Sequence, residues 1–323
     1  QKGIIAMLHK NFIRSRTYYD SAYNIYVQEK DSSFMVNVLY NMGITYEEQG
    51  DYVTALEYFF KCLSLDEQMD NPQGVASDYN SIAVVFKKQG DYEQSIAYYE
   101  RALEINKALN DDIGTASALT NLGVVYKDKG DFEQSVAVQK RALKIFENKK
   151  HPYGKSIALH NLGVAYFKMD DLEQSKGYIQ SSIETSEHLK NDVININNEI
   201  LISRIFLQQE QPAQALDRAK KSLSLATKIG LLEEQHEATL GRSLDQLLDR
   251  DFRQGKVDGA HVSSSIPTGG GRARGGLRAF QTVRARLGGE TGDGVAVVPS
   301  TFRPPVVRTG TFWGGARNRH RRT

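Results

Sequence analysis

The side chains with most to offer chemically are amides. Asn41, Ser81, Asn121 and Asn161 stand forty residues apart, and Asn80 directly precedes the serine. An asparagine carries one carbonyl acceptor and two N–H donors, so a row of them matches the groups an extended peptide backbone presents. The competing role is an amide that bonds its own neighbouring repeat. Farther along each row come Glu47-Glu48, Lys87-Lys88, Lys127-Asp128 and Phe167-Lys168, again at forty-residue intervals. An acidic step beside two basic ones favours a ligand of mixed charge; the plainer reading is a solvated helix end.

Catalytic and cofactor chemistry finds little support. The glycine run Gly269 to Gly271 leads into Arg-Ala-Arg-Gly, without a preceding strand or a following Lys-Ser/Thr, so it is no phosphate loop. Cys62 is the single cysteine, and the histidines (His9, His151, His160, His188, His236, His261, His320) are scattered, which argues against zinc. His236-Glu237 on a predicted helix resembles the phosphoacceptor pair of histidine kinases, but Ala-Thr-Leu follows where that motif continues basic-Thr-Pro. No Gly-x-Ser-x-Gly marks a nucleophile. The reading is a non-enzymatic chain, without metal or cofactor, whose partner is a protein or extended peptide.

What positions these residues is a strict repeat. Gly50, Gly90, Gly130, Asp170 and Glu210 share one column, and Asp51, Asp91, Asp131, Asp171 and Gln211 the next. Small residues recur at Ala55, Ser95, Ser135, Ser175 and Ala215, and again upstream at Gly43, Ala83, Gly123, Gly163 and Ser203. Tyr46, Phe86, Tyr126, Tyr166 and Phe206 follow three places later. Each row reads as two helices. Tyr79, Ile82, Ala83 and Phe86 form one apolar stripe; Tyr92, Ser95, Ile96, Tyr99, Ala102 and Leu103 form the second. Gly90-Asp91 interrupts them, because glycine accepts the positive φ that ends a helix and aspartate caps the next. Asn71-Pro72-Gln73-Gly74, Asp111-Asp112-Ile113-Gly114 and His151-Pro152-Tyr153-Gly154 carry turn compositions between rows. The small residues at 43, 123 and 163 predict close helix approach, with the aromatic one turn later filling the adjacent space. A lone pair of such helices cannot bury both faces, so the pairs must stack.

The pattern resembles the tetratricopeptide-repeat family, in Leu122, Gly123, Tyr126 with Ser135 and Ala142, and in Leu162, Gly163, Tyr166 with Ser175 and Ser182. That family's usual period is 34 residues; forty implies longer helices, as in kinesin light chains and bacterial signalling arrays. The resemblance implies an all-α, right-handed superhelical α-solenoid of antiparallel helix pairs over residues 1–254. Its units run about 1–30, 34–70, 74–110, 114–150, 154–190 and 194–229, with an end helix at 231–254. It also implies that the first helix of each pair lines a concave face, making Asn41, Asn80, Asn121, Asn161, Lys87 and Lys127 the candidate partner-binding residues. The family's clamp for a C-terminal carboxylate needs further basic residues there, and Tyr40, Ser77, Asn80, Ser117 and Thr120 hold those places instead. Tyr58, Tyr98, Tyr99 and Tyr178, on the second helices, are expected in packing. The function implied is a protein-interaction scaffold. The alternative is the sensory or regulatory half of a bacterial signal-transduction protein (histidine kinase, cyclase or transcription regulator) whose output domain is missing.

Composition breaks after Gly255. Of 41 Lys and Arg residues, 13 lie from Arg253 onward, against 3 of 39 acidic ones, leaving 28 basic and 36 acidic residues before it. Fourteen of 27 glycines and four of seven prolines also fall from Gly255 on. Residues 255–323 therefore read as a disordered Gly/Arg-rich tail unable to offset its conformational entropy by burial. Its origin is either a natural extension touching nucleic acid or acidic surfaces or, as the favoured reading, a changed frame or non-conserved extension; the nucleotide sequence around the Gly241 codon separates them. Nucleic acid is otherwise an unexpected partner. The lone cysteine and the lack of any apolar run of about 18 residues fit a cytoplasmic protein without a membrane segment.

Overall fold

Among the described residues eleven helices end with the same device. A residue in the left-handed region stands at Lys10, Lys30, Gly50, Asp70, Gly90, Asn110, Gly130, Lys150, Asp170, Lys190 and Glu210, with φ between 51° and 91°. The spacing is twenty residues throughout, half the chemical period. At each, the following N–H donates to the carbonyl five residues back, as Asp51 does to Tyr46 at 3.0 Å and His151 to Phe146 at 2.8 Å. The left-handed residue donates to the carbonyl three back, Gly50 to Glu47 at 3.0 Å. This pairing satisfies carbonyls that a helix end would otherwise leave exposed. The same following residue then caps the next helix. The side chains of Asp31, Asp51, Asn71, Asp91, Asp111 and Asp131 each accept the N–H three residues on, and His151 does so through ring Nδ1 at 3.0 Å. A non-glycine residue in this region costs about 1–2 kcal/mol, and the doubled backbone bonds and cap hold it there.

The computed structural model describes residues 2–228. Twelve helices follow one another there: α1 Lys2–Leu8, α2 Phe12–Glu29, α3 Ser32–Glu48, α4 Tyr52–Gln68, α5 Pro72–Gln89, α6 Tyr92–Ala108, α7 Asp112–Lys129, α8 Phe132–Asn148, α9 Pro152–Lys168, α10 Leu172–His188, α11 Asp192–Gln208 and α12 Pro212–Lys228. Among the described residues there is no strand. The fold is an all-α solenoid. The proposed end helix, the tail and His236 lie outside the described residues. One local expectation changes. Pro72, Gly74, Gly114, Pro152 and Gly154 are not turn residues but open the helices α5, α7 and α9. Proline suits a first helical turn because the N–H it lacks has no intrahelical partner there. A Cβ at Gly154 would overlap the Phe146 ring, so that glycine gives the end of α8 room.

Within a hairpin, the two small-residue columns meet and bond. Ser95 Oγ donates to Ala83 O at 2.8 Å, Ser135 Oγ to Gly123 O at 2.7 Å and Ser175 Oγ to Gly163 O at 2.7 Å. In α11 and α12 the serine changes sides, and Ser203 Oγ donates to Ala215 O at 2.9 Å. The space over the glycines is filled from the opposite helix, not by the aromatic one turn later. A Cβ at Gly43 would lie 2.7 Å from the Phe59 ring, at Gly123 2.5 Å from Gln139, and at Gly163 2.5 Å from Ile179. The aromatics instead stack across the hairpin: Tyr46 on Tyr58, Phe86 on Tyr98, Tyr166 on Tyr178, each at 5.4 Å between centroids. Tyr99 is buried in the core.

This seam generates a paired expectation. Gly163→Ala drives a methyl against Ile179 and, at 3.3 Å, against the Ser175 carbonyl, and should lower stability by about 1–3 kcal/mol. Gly177→Ala, in α10 with nothing within 4 Å of its Cβ, should raise it by about 0.5–1 kcal/mol. Urea unfolding of the two variants checks both signs.

Candidate functional site

The first helix of each pair forms an inner layer. α7 packs directly on α9 and α9 on α11, with no contact of similar extent between the second helices α8 and α10. The side on which successive units approach is the inside of the curve. Burial agrees: every residue from Gly114 to Val125 is buried, as is every one from Ser156 to Ala165. The asparagine series sits on this layer. Asn41 is half-buried and donates through Nδ2 to Asn37 O at 2.6 Å. Asn80, Asn121 and Asn161 retain 6%, 2% and 4% of their surface, so they are buried rather than standing open. The Oδ1 atoms of Asn80 and Asn121 are buried and have no hydrogen-bond partner among the described residues.

The charged series is brought together across repeats. Lys88 on α5 reaches Glu47 on α3 at 2.9 Å and Glu48 at 3.9 Å. Asp128 on α7 takes Lys127 at 2.7 Å and Lys87 of α5 at 3.9 Å. Neither Lys87 nor Lys127 is a solvated helix end; the pair shares one carboxylate. Burial draws the Lys87 ammonium down from its ordinary range, Asp128 offsetting part of the shift. Burial pushes the Glu47 carboxyl up, and Lys88 opposes it. Lys88 also feels burial, but Glu47 more than offsets this and holds it above the usual lysine range.

Two further polar groups went unread in the sequence. His160 Nδ1 lies 2.8 Å from Asn198 Oδ1, Asn198 Nδ2 donates to Ser182 Oγ at 2.9 Å, and Ser182 Oγ donates to Ser156 O at 2.9 Å. That direction leaves Asn198 Oδ1 as the acceptor, so Nδ1 of His160 carries the proton. Glu199 is 1% exposed and takes Lys221 at 2.7 Å and Arg218 at 3.3 Å from α12. The signal was available: Glu199 interrupts the column Leu39, Tyr79, Leu119, Leu159. Among the described residues no group of three or more His, Cys, Asp or Glu is placed to hold a metal ion. No helix among them is long and apolar enough to cross a membrane.

Tetratricopeptide-repeat models match residues 36–69, 75–148 and 157–188, the stretches that supply α3 to α10. These stretches are tetratricopeptide repeats. The end hairpins, outside those matches, repeat the same turns. Among solved structures, the chain is similar to BtubC (BKLC) from P. vanneervenii, at 22% identity and TM-score 0.51 over 58% of this chain and 78% of that one. It is similar to a signal transduction ATPase with numerous domains and a tetratricopeptide-repeat sensor from Pyrococcus horikoshii, at 16% identity and TM-score 0.62. That match covers 79% of this chain but only 38% of the ATPase. It is also similar to the Rap conjugation gene regulator of plasmid pLS20 in complex with the Phr* peptide, at 18% identity and TM-score 0.58, covering 90% and 75%. At these identities the likeness is one of fold. No curated protein matches the sequence.

The ion pairs of this tetratricopeptide array carry two expectations. Lys87→Met leaves Asp128 its 2.7 Å partner and removes a desolvated ammonium, so stability should hold or rise; Lys127→Met strips that partner and should cost about 1–2 kcal/mol. Denaturant midpoints at neutral pH compare them. Because the folded state raises the Glu47 carboxyl, folding takes up a proton between its ordinary and raised values, and stability falls as pH rises through that window. Glu47→Gln should flatten that fall, measurable as midpoints across about pH 4 to 7.

Proposed function

We propose that the chain is a protein-interaction scaffold that holds an extended segment of a partner along the inner face of its solenoid. The observation that carries this is the inner layer itself: α7 touches α9 and α9 touches α11, and the first helices carry the amides Asn41, Asn80, Asn121 and Asn161 among their half-buried and buried residues. A polar amide in such a place is stabilising only when its donors and acceptors are met, and a peptide backbone offers both. Lys87 and Lys127 take part indirectly, setting the charge of the wall through Asp128. The pLS20 Rap regulator, alike in fold, is in complex with a peptide, which supports the reading. A scaffold of this kind needs no catalytic group.

A second reading is favoured by the likeness to the sensor-bearing ATPase of Pyrococcus horikoshii. There the chain would be the sensing half of a signal-transduction protein, with the output supplied by a further domain. Both readings place the ligand on the same face. The boundaries of this solenoid domain, 1–254, and its location in the cytoplasm are part of the same proposal.

Peptide display against the full chain tests the shared claim. The triple variant Asn41→Ala, Asn121→Ala, Asn161→Ala should lose at least about tenfold in retained peptide, with helical circular dichroism unchanged. Equal capture by the variant and the parent would count against the inner face.

A further inference from the structure

One helix cap in the array differs in kind from the others. At the turns between hairpins, Asp31, Asn71, Asp111 and Asn191 each cap the next helix through a side-chain oxygen. The second helices α2, α4, α6, α8 and α10 are likewise capped by aspartate or asparagine. α9 is capped by an imidazole, Nδ1 of His151 accepting from Gly154 N at 3.0 Å. Only an unprotonated Nδ1 can accept. An amide oxygen accepts at any pH, and a carboxylate does so down to about pH 4. Imidazoles as a class change charge between about pH 5 and 8.

The ring sits where loss of this bond is costly. It stacks on Phe146, with centroids 5.3 Å apart and planes 28° off parallel, and Phe146 is fully buried. Gly154 is buried against the same Phe146 ring, which an added Cβ would overlap. A protonated Nδ1 turns an N–H toward the Gly154 N–H and leaves that buried donor without its acceptor. It also sets a positive charge at the positive end of α9. The Phe146 face attracts an imidazolium and offsets part of this, but it does not replace the lost lone pair.

The elements that meet at this turn bring other charges with them. Glu147 of α8 is tied to Lys155 of α9 at 3.1 Å, and Asp112 of α7 to Lys149. Lys150 directly precedes the cap, and Asp192 opens α11. α10 ends with Glu187, drawn to Lys221 at 3.3 Å, and His188. Among the described residues none of these carboxylates pairs with the His151 ring. We propose that the turn joining α8 to α9 is a pH-operated joint between the α7–α8 and α9–α10 hairpins. It is closed while His151 is neutral and loosened when the ring takes up a proton. The first turn of α9, Pro152 to Lys155, then loses its cap and opens, while the turns at Asp111 and Asn191 on either side stay shut.

Amide hydrogen exchange of the full chain, followed by NMR, tests this with the array's own turns as reference. Gly114 and Gly154 are equivalent amides, capped by Asp111 and His151. Between about pH 7.5 and about pH 5.5, protection of Gly154 relative to Gly114 should fall at least about fivefold. His151→Asn supplies the kind of cap that Asn71 and Asn191 provide and should keep the ratio level over the same range. His151→Ala should give the low ratio at both ends of that range, with helical circular dichroism retained. His188→Gln should leave the fall seen in the parent unchanged. A level ratio in the parent overturns the joint. So does a fall that survives His151→Asn, one that vanishes in His188→Gln, or full protection of Gly154 in His151→Ala.

Discussion

Two antiparallel helices can come close only where one of them has almost no side chain, and the array depends on that contact. At each hairpin a glycine, alanine or serine on the first helix faces a serine or alanine on the second. In most hairpins a serine hydroxyl closes the gap by donating to the opposite backbone carbonyl, as Ser135 does to Gly123. The bond tolerates exchange of sides, since Ser203 donates to Ala215 in the reverse sense. What every hairpin shares is the missing side chain; the hydroxyl is absent where Gly43 faces Ala55. Close approach at this point brings the residue four places beyond the small residue on the second helix, Phe59, Tyr99 or Ile179, over the first helix and seals the core.

Tight hairpins force their first helices together, and this is where the polar residues become costly. α7 and α9 are buried on nearly every side, so their amides and hydroxyls cannot rely on solvent. The chain meets that demand unevenly. Toward the end of the described residues His160, Asn198, Ser182 and Ser156 O form a chain in which each donor has an acceptor. Glu199 likewise finds two cations on α12. Between α5 and α7 the amide oxygens have no such arrangement. A buried acceptor left without a donor costs about 1–3 kcal/mol, and native structures keep few of them. The contrast separates a region whose polar groups are paired within the chain from one in which two buried amide oxygens are not.

The fold was legible because its columns are independent of one another. Gly43, Ala83, Gly123 and Gly163 would suggest little alone, but aligned with the serine and aromatic columns they admit one architecture. The turns were half legible. Gly50, Gly90 and Gly130 announce themselves, whereas Lys30, Lys150 and Lys190 adopt the same left-handed conformation with no compositional signal. Their conformation is imposed by two backbone bonds and a cap, which residue type does not encode. The asparagine series could be placed on the inner layer from the resemblance to tetratricopeptide repeats. Its burial could not, because it depends on how closely successive first helices approach. The pairing of Lys87 with Asp128 joins neighbouring repeats and depends on which turns of α5 and α7 stand side by side.

The turn geometry recurs every twenty residues, but the chemistry only every forty, and the two intervals are not interchangeable. Excising residues 71–110 would join Asp70 to Asp111, a left-handed residue to a cap, and leave every later helix in its own layer. Excising residues 71–90 would make an equally good turn, yet α6 would then occupy an inner berth. Its Glu93, Glu100, Arg101 and Glu104, now exposed, would have to be enclosed between neighbouring first helices. An array of this kind therefore grows and shrinks by whole hairpins, and the half-step is barred by what it would turn inside out rather than by the join.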